Sequence, residues 1–272
     1  MRYFDEGYGV RHRSRSCNPG DVFIQTTDSH RNWYGDTHGA CFMTLSASSS
    51  RHICSEDRIG VNYAFSFLRS APLRSALYAS SNILHDGKTM TTIETDVLYR
   101  GKTACRAIID YCDKSKSLGG SERQNVSSGP NVHPSADVEL YRSSLGSPNL
   151  EIEDLIFGEQ MKGKISAMGR LESFAVGMPT NSVFSDEIGF IDAGAYCALG
   201  DITLGVVARS LVGKSPTTQF SLCGVRPAEP GSRLVCDASI KAIHGRFAVV
   251  EGSIWADNQI SAFVEGTYYS VE

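Results

Sequence analysis

Asn32-Trp33-Tyr34-Gly35-Asp36-Thr37-His38-Gly39-Ala40 and Asp186-Glu187-Ile188-Gly189-Phe190-Ile191-Asp192-Ala193-Gly194 are the two stretches that decide the fold. The second repeats the first: Gly35 answers Gly189, and each stretch runs into an apolar, small-residue segment. Two further landmarks follow in the same order. Phe67-Leu68-Arg69 answers Gly224-Val225-Arg226, and His85-Asp86-Gly87-Lys88 answers His244-Gly245-Arg246. The separations Gly35 to Gly189, Arg69 to Arg226 and Gly87 to Gly245 are 154, 157 and 158 residues. A spacing that drifts only as short loop changes would make it drift identifies two copies of one unit.

Within each copy the pattern predicts a helix and then several strands. In the first, Asp21–Thr27 reads as a strand and Gly39 to about Ile53 as a helix with no large charged face before Arg51, hence buried on most sides. Strands follow at Arg58–Leu68, Ala76–Leu84, Thr89–Tyr99 and Lys102–Tyr111, with Thr91, Ile93, Thr95, Val97 and Tyr99 on one face at period two. In the second, the helix runs from about Ala193 to Arg209, with strands near 217–225, 232–243, 246–256 and 259–269. One buried helix wrapped by a long antiparallel sheet makes each unit α+β. The expected limits are 1–113 and 153–272, joined by a Ser-, Gly- and Pro-rich linker at 114–152. Two units of this size also suit the 272-residue length better than a single domain.

Composition narrows the function classes. A hydrophobic content of 41% with 12 Phe and 11 Tyr excludes a disordered chain. A net charge of −4 argues against a mainly electrostatic nucleic-acid binder. No uninterrupted apolar stretch approaches the ~18 residues of a membrane span, and the start lacks the apolar core of a signal peptide. The eight cysteines (17, 41, 54, 105, 112, 197, 223 and 236) form no CxxC pair and lack metal-site clustering. They read as reduced core residues, which places the expected compartment in the cytoplasm.

A buried helix introduced by N-x-x-G-x-x-H-G-(G/A) and followed by F-L-R and H-x-G-(K/R) strands resembles the hotdog fold, and more closely the PaaI-like acyl-CoA thioesterases. The resemblance covers roughly residues 20–112 and 165–270. It implies two hotdog domains paired as a pseudo-dimer, with active sites at the seam between them. In such a family one unit supplies an Asn and a helix-start N–H to polarise the thioester carbonyl. The other unit supplies a carboxylate about two turns along its helix, and a hydroxyl residue on the next strand that helps hold water. Eight residues of helix span about 12 Å, so one helix cannot supply both halves.

Carried across, the resemblance gives an asymmetric result. The first unit keeps Asn32, His38 and the Gly39 amide, but its carboxylate position is Ala47 and its hydroxyl position falls near Gly60. The second unit has Asp186 and Asp192 in place of Asn and His, with Gly194 at the helix start, yet it keeps Asp201 and Thr217, with Thr218 alongside. One complete site is therefore expected, from Asn32 and Gly39 of one unit with Asp201 and Thr217 of the other. The opposite seam, Asp186, Asp192 and Gly194 against Ala47, is expected to lack its carboxylate. The activity implied is hydrolysis of an acyl-CoA thioester without cofactor or metal, with Lys88 and Arg246 as candidates for the CoA phosphates.

Each residue also has a plainer reading. Asn32 suits a turn or cap, His38 suits orienting the loop, and Lys88 and Arg246 suit solvated strand ends. Ser46 and Ser48, beside Ala47, read as packing residues because no nucleophile-elbow pattern surrounds them. Asp201 resists such a reading, because a mid-helix carboxylate among Ala198, Leu199, Ile202 and Leu204 is costly to bury without a purpose. Two competing functions stay open: a non-catalytic acyl-CoA-binding or scaffold protein, and a hotdog dehydratase or hydratase pairing Asp201 with His38. The expected partner is the acyl-CoA itself, not nucleic acid or membrane, and two chains could pair into a four-hotdog homodimer.

Overall fold

The computed structural model describes residues 8–12, 21–114, 170–257 and 259–272. The expected linker, apart from its first residue, and Cys17 lie outside the described residues. Eleven strands form one antiparallel sheet: β1 (Val10–His12), β2 (Val22–Gln25), β3 (Arg58–Phe67), β4 (Ala76–Asp86), β5 (Met90–Tyr99), β6 (Lys102–Asp113), β7 (Ser173–Pro179), β8 (Thr217–Cys223), β9 (Arg233–His244), β10 (Phe247–Ala256) and β11 (Gln259–Tyr269). Among the described residues two α-helices accompany them, α1 (Gly39–Arg51) and α2 (Ala193–Val212).

The strand order is β1-β2-β4-β5-β6-β3-β8-β11-β10-β9-β7. From the centre outward, β3, β6, β5, β4, β2 on one side mirror β8, β11, β10, β9, β7 on the other, with β1 added at one edge. The halves meet where β3 pairs with β8, from Asn62↔Cys223 to Ser66↔Gln219. Phe65 and Phe220 pack across that ladder with ring centroids 6.3 Å apart. β5 shows the expected alternation, with Thr91, Ile93, Thr95 and Val97 buried. The edge strand β1 has only three residues and β7 buries three in a row instead of alternating, so sequence reading finds neither.

Both helices lie against the sheet and touch each other. α1 is buried from Ala40 to Ser50 although it is rich in serine. Several of its serine hydroxyls are satisfied inside the fold: Ser46 donates to the Phe42 carbonyl, Ser49 reaches Ser81, and Ser50 reaches the Tyr111 hydroxyl at 2.7 Å. Small polar residues thus let the sheet approach closely while most of their hydroxyls find partners, the buried Thr44 Oγ1 being left without one among the described residues. In α2 the same close approach falls on Gly200, where a Cβ would lie 2.9 Å from the Phe220 ring. α2 runs three residues beyond the expected end. By length and composition alone it is also long and apolar enough to cross a membrane, although Asp201 and Arg209 interrupt its apolar run. Yet 72% of that window is buried inside the fold, as a helix wrapped by a sheet must be.

Candidate active site

Each helix is introduced by the same loop, hydrogen bond for hydrogen bond. Asn32 Oδ1 accepts from the amides of Tyr34 and Asp36 at 2.8 and 3.0 Å. Asp186 Oδ1 accepts from those of Ile188 and Phe190 at 3.0 and 2.9 Å. Gly35 and Gly189 hold φ of 91° and 88°, a conformation that glycine alone adopts without penalty. The amides of His38 and Asp192 donate to the carbonyls of His30 and Phe184. The two side chains then cap their helices: His38 Nδ1 accepts from Ala40 N at 3.0 Å, and Asp192 Oδ1 from Gly194 N at 2.7 Å. The position matching Gly39 is therefore Ala193, the first residue of α2. The expected Gly194 is one residue too late: the aligned stretches already set Asp192 against His38 and Ala193 against Gly39, and the glycine lies one position further on.

Gly39 and Asp201 meet across the two units. A Cβ at position 39 would lie 2.9 Å from Asp201 Oδ2, so only glycine lets the carboxylate reach the start of α1. The Gly39 N–H has no acceptor among the described residues, as expected at a helix start. Thr217 Oγ1 donates to the other carboxylate oxygen, Asp201 Oδ1, at 2.9 Å. His38 Nδ1 lies 3.6 Å from Asp201 Oδ2, too far for a hydrogen bond. Since Nδ1 accepts from the Ala40 amide, the neutral ring carries its proton on Nε2.

Asp201 and His38 are 7% and 5% exposed, and that burial sets their charge. Burial raises the Asp201 carboxyl above its usual pKa, opposed by the neighbouring imidazole and the Thr217 hydroxyl. Burial likewise lowers the His38 imidazole, opposed by Asp201. The pair is thus a carboxylate of increased basicity beside a histidine held towards neutrality. Asn32, His38, Gly39, Asp201, Thr217 and Thr218 all line one cavity of ≈ 310 Å³. Asn32 Nδ2 makes only a long contact, 3.4 Å to the Thr37 carbonyl.

The opposite seam encloses ≈ 190 Å³, lined by Ala47, Gly60, Asp186, Asp192 and Ala193 among others. Gly60 is the structural counterpart of Thr217, because it pairs with Tyr111 in β6 as Thr217 pairs with Tyr268 in β11. A side chain at 60 would collide with the Tyr63 hydroxyl, which fills the space that Thr217 occupies in the other seam. Arg51 holds the helix position matched by Gly205 and fills more of the volume. It is paired to Glu187 at 2.9 Å and to the Arg58 carbonyl at 2.7 Å. Asp186 stays half-buried, its carboxyl raised by burial against two backbone N–H donors.

Lys88 and Arg246 stand apart from both cavities. Each is an exposed residue of a hairpin turn, Lys88 between β4 and β5 and Arg246 between β9 and β10. The cations at the first cavity are instead Arg69 and Arg209. Arg209 lies over the rings of Trp33 and Tyr34, 4.7 and 5.2 Å from their centroids. Sequence reading takes Arg69 only as a repeated landmark and passes over Arg209, because nothing links the last turn of α2 to a loop more than half the chain away. Among the described residues no group of three or more His, Cys, Asp or Glu is placed to hold a metal ion.

No protein-family model matches this chain, and no curated protein does. Solved structures do. An acyl-CoA thioesterase II from Mycobacterium marinum is 12% identical, with a TM-score of 0.66 over 98% of this chain and 97% of that one. A protein of unknown function with the hotdog fold from Alicyclobacillus acidocaldarius is 13% identical, with a TM-score of 0.64 over 98% and 97%. The 12:0-ACP thioesterase from Umbellularia californica is 11% identical, with a TM-score of 0.59 over 91% and 92%. Identities this low leave a likeness of fold, and it runs from end to end: the chain has the hotdog fold.

Proposed function

We propose that the chain is a thioester hydrolase acting on acyl-CoA, its two hotdog units paired as a pseudo-dimer with one working site at their seam. The observation that carries this reading is the approach of Asp201 to Gly39, with Thr217 on the second carboxylate oxygen. The thioester carbonyl oxygen sits at the Gly39 N–H and the Asn32 Nδ2 donor. A water between Asp201 and Thr217 attacks the carbonyl carbon while Asp201 takes its proton. Negative charge on the carbonyl oxygen is stabilised by the two donors and by the N-terminus of α1. Collapse re-forms the carbonyl, breaks the C–S bond and expels the thiolate, which receives the proton from Asp201. The raised carboxyl suits this role, since a base with a higher pKa removes a proton from water more readily. His38 fixes the loop and helix start through its cap instead of carrying the proton.

Asp201→Asn tests the reading directly. It keeps the shape and removes the base, so turnover of a panel of acyl-CoAs, followed as free thiol, should fall about 100-fold or more. Turnover within a few-fold of wild type would overturn the assignment. Wild-type protein that binds acyl-CoA without releasing CoA would favour the non-catalytic reading.

A further inference from the structure

Asp201, Gly205 and Arg209 follow one another at four-residue spacing, all line the first cavity, and so form one stripe along α2. At the middle position there is no side chain, and a Cβ there would meet only the Tyr268 ring, at 3.9 Å. The stripe thus presents a carboxylate, a gap and a guanidinium, its ends about 12 Å apart along the helix axis. Arg209 lies over two aromatic rings of the other unit, Trp33 and Tyr34, the second of which also accepts the Ser215 amide at 2.9 Å. Contact with the rings holds the cation in place but leaves its N–H donors to find acceptors. Arg209 Nη1 is buried and has no hydrogen-bond partner among the described residues.

The matching end of α1 shows what a purely structural arginine looks like here. Arg51 is satisfied by Glu187 and two backbone carbonyls. Among the described residues Arg209 has no carboxylate beside it, and Asp201 is the only acid lining its cavity. A cation in the last turn of a helix is favourable in itself, but that does not account for a buried donor left unpaired.

We propose that Arg209 is an anion subsite of the first cavity, taking a carboxylate or phosphate group on the ligand about two helical turns from the reacting carbonyl. Two parts of a thioester could supply that anion: the far end of an acyl chain ending in a carboxylate, or the phosphates of the CoA carrier. Either would give the fork the bidentate oxygen pair that the protein withholds. Naming the ligand as a thioester rests on the hydrolase reading, whereas the subsite does not.

Binding to probes that need no turnover separates the two. Calorimetry on wild type, Arg209→Gln and Arg209→Lys would use CoA against pantetheine, and suberate against octanoate. Loss of about tenfold in CoA affinity in Arg209→Gln, with pantetheine affected far less, assigns the phosphates. The same loss for suberate, with octanoate affected far less, assigns an acyl-chain carboxylate. Arg209→Lys, which keeps the charge but not the fork, should fall between, and it carries the test should the glutamine variant fail to fold. Equal affinity of wild type and both variants for every probe, or no binding of any probe by wild type, would overturn the subsite. Arg209-dependent binding without hydrolysis of any thioester would keep the subsite and sink the hydrolase reading.

Discussion

The two seams share a backbone and differ in their side chains. Both have the same turn, the same positive-φ glycine and the same helix cap. Asn32 faces Asp201 and Thr217 in one; Asp186 faces Ala47 and Gly60 in the other. The acceptor oxygen of Asn32 and that of Asp186 do identical structural work in the turn, so the remaining atom, an amide nitrogen or a carboxylate oxygen, is the only difference at that position. The space left by missing groups in the second seam is refilled by the Tyr63 hydroxyl and the Arg51 side chain. Those side chains narrow the second cavity to ≈ 190 Å³, against ≈ 310 Å³ in the first. The lesson is that a fold can hold the scaffold of a site fixed by its turn chemistry while leaving its reactivity to a few positions.

The sharpest way to break the comparison is to exchange the two turn residues. Asn32→Asp copies the second seam into the first, preserving both turn hydrogen bonds while replacing a donor by a charge. Turnover should fall about 100-fold, the usual scale for one oxyanion donor. Asp186→Asn, the reciprocal change, should leave steady-state kinetics within twofold; a comparable loss there would show that the second seam also works. Thr217→Val, which gives the first seam an apolar residue where the second has Gly60, should lower kcat about tenfold, roughly the loss of one hydrogen bond to a charged group. An unchanged kcat would remove Thr217 from the water site.

The smallest expected effect concerns stability. The Asp201 carboxyl is raised by burial, so the folded state holds its proton at pH values where the unfolded chain has released it. Its penalty is therefore absent below the unfolded pKa, grows as pH rises through the folded pKa, and is full above it. Asp201→Asn should raise the thermal midpoint near pH 7 by a few degrees and change it less near pH 4, measured by calorimetric melting. A fall at pH 7 would mean that Asp201 stabilises the fold and was not kept at a cost for function.

Much of this was legible in the chain. Three repeated landmarks gave two units, and the mid-helix carboxylate among apolar neighbours stood out because burying it needs a reason. The long strands show their period, but β1 is only three residues and β7 buries three consecutive residues instead of alternating. The helix start of the second unit was misread by one residue because glycine was followed instead of the cap at Asp192. Lys88 and Arg246 were chosen as charges next to repeated motifs, yet adjacency in sequence put them on exposed turns. Arg209 was missed because its neighbours, Trp33 and Tyr34, come from the other unit, and only tertiary structure brings them together.

The bare Cα of Gly39 has a consequence in time as well as in space. Asp201 is separated from it by more than half the chain, and each belongs to a unit with its own helix and half of the sheet. Their contact cannot form until both units have folded and the β3–β8 ladder has closed, a step of high contact order. In refolding, the pairing of these two residues therefore follows the return of helix and strand signals, and it reports the docking of one half upon the other.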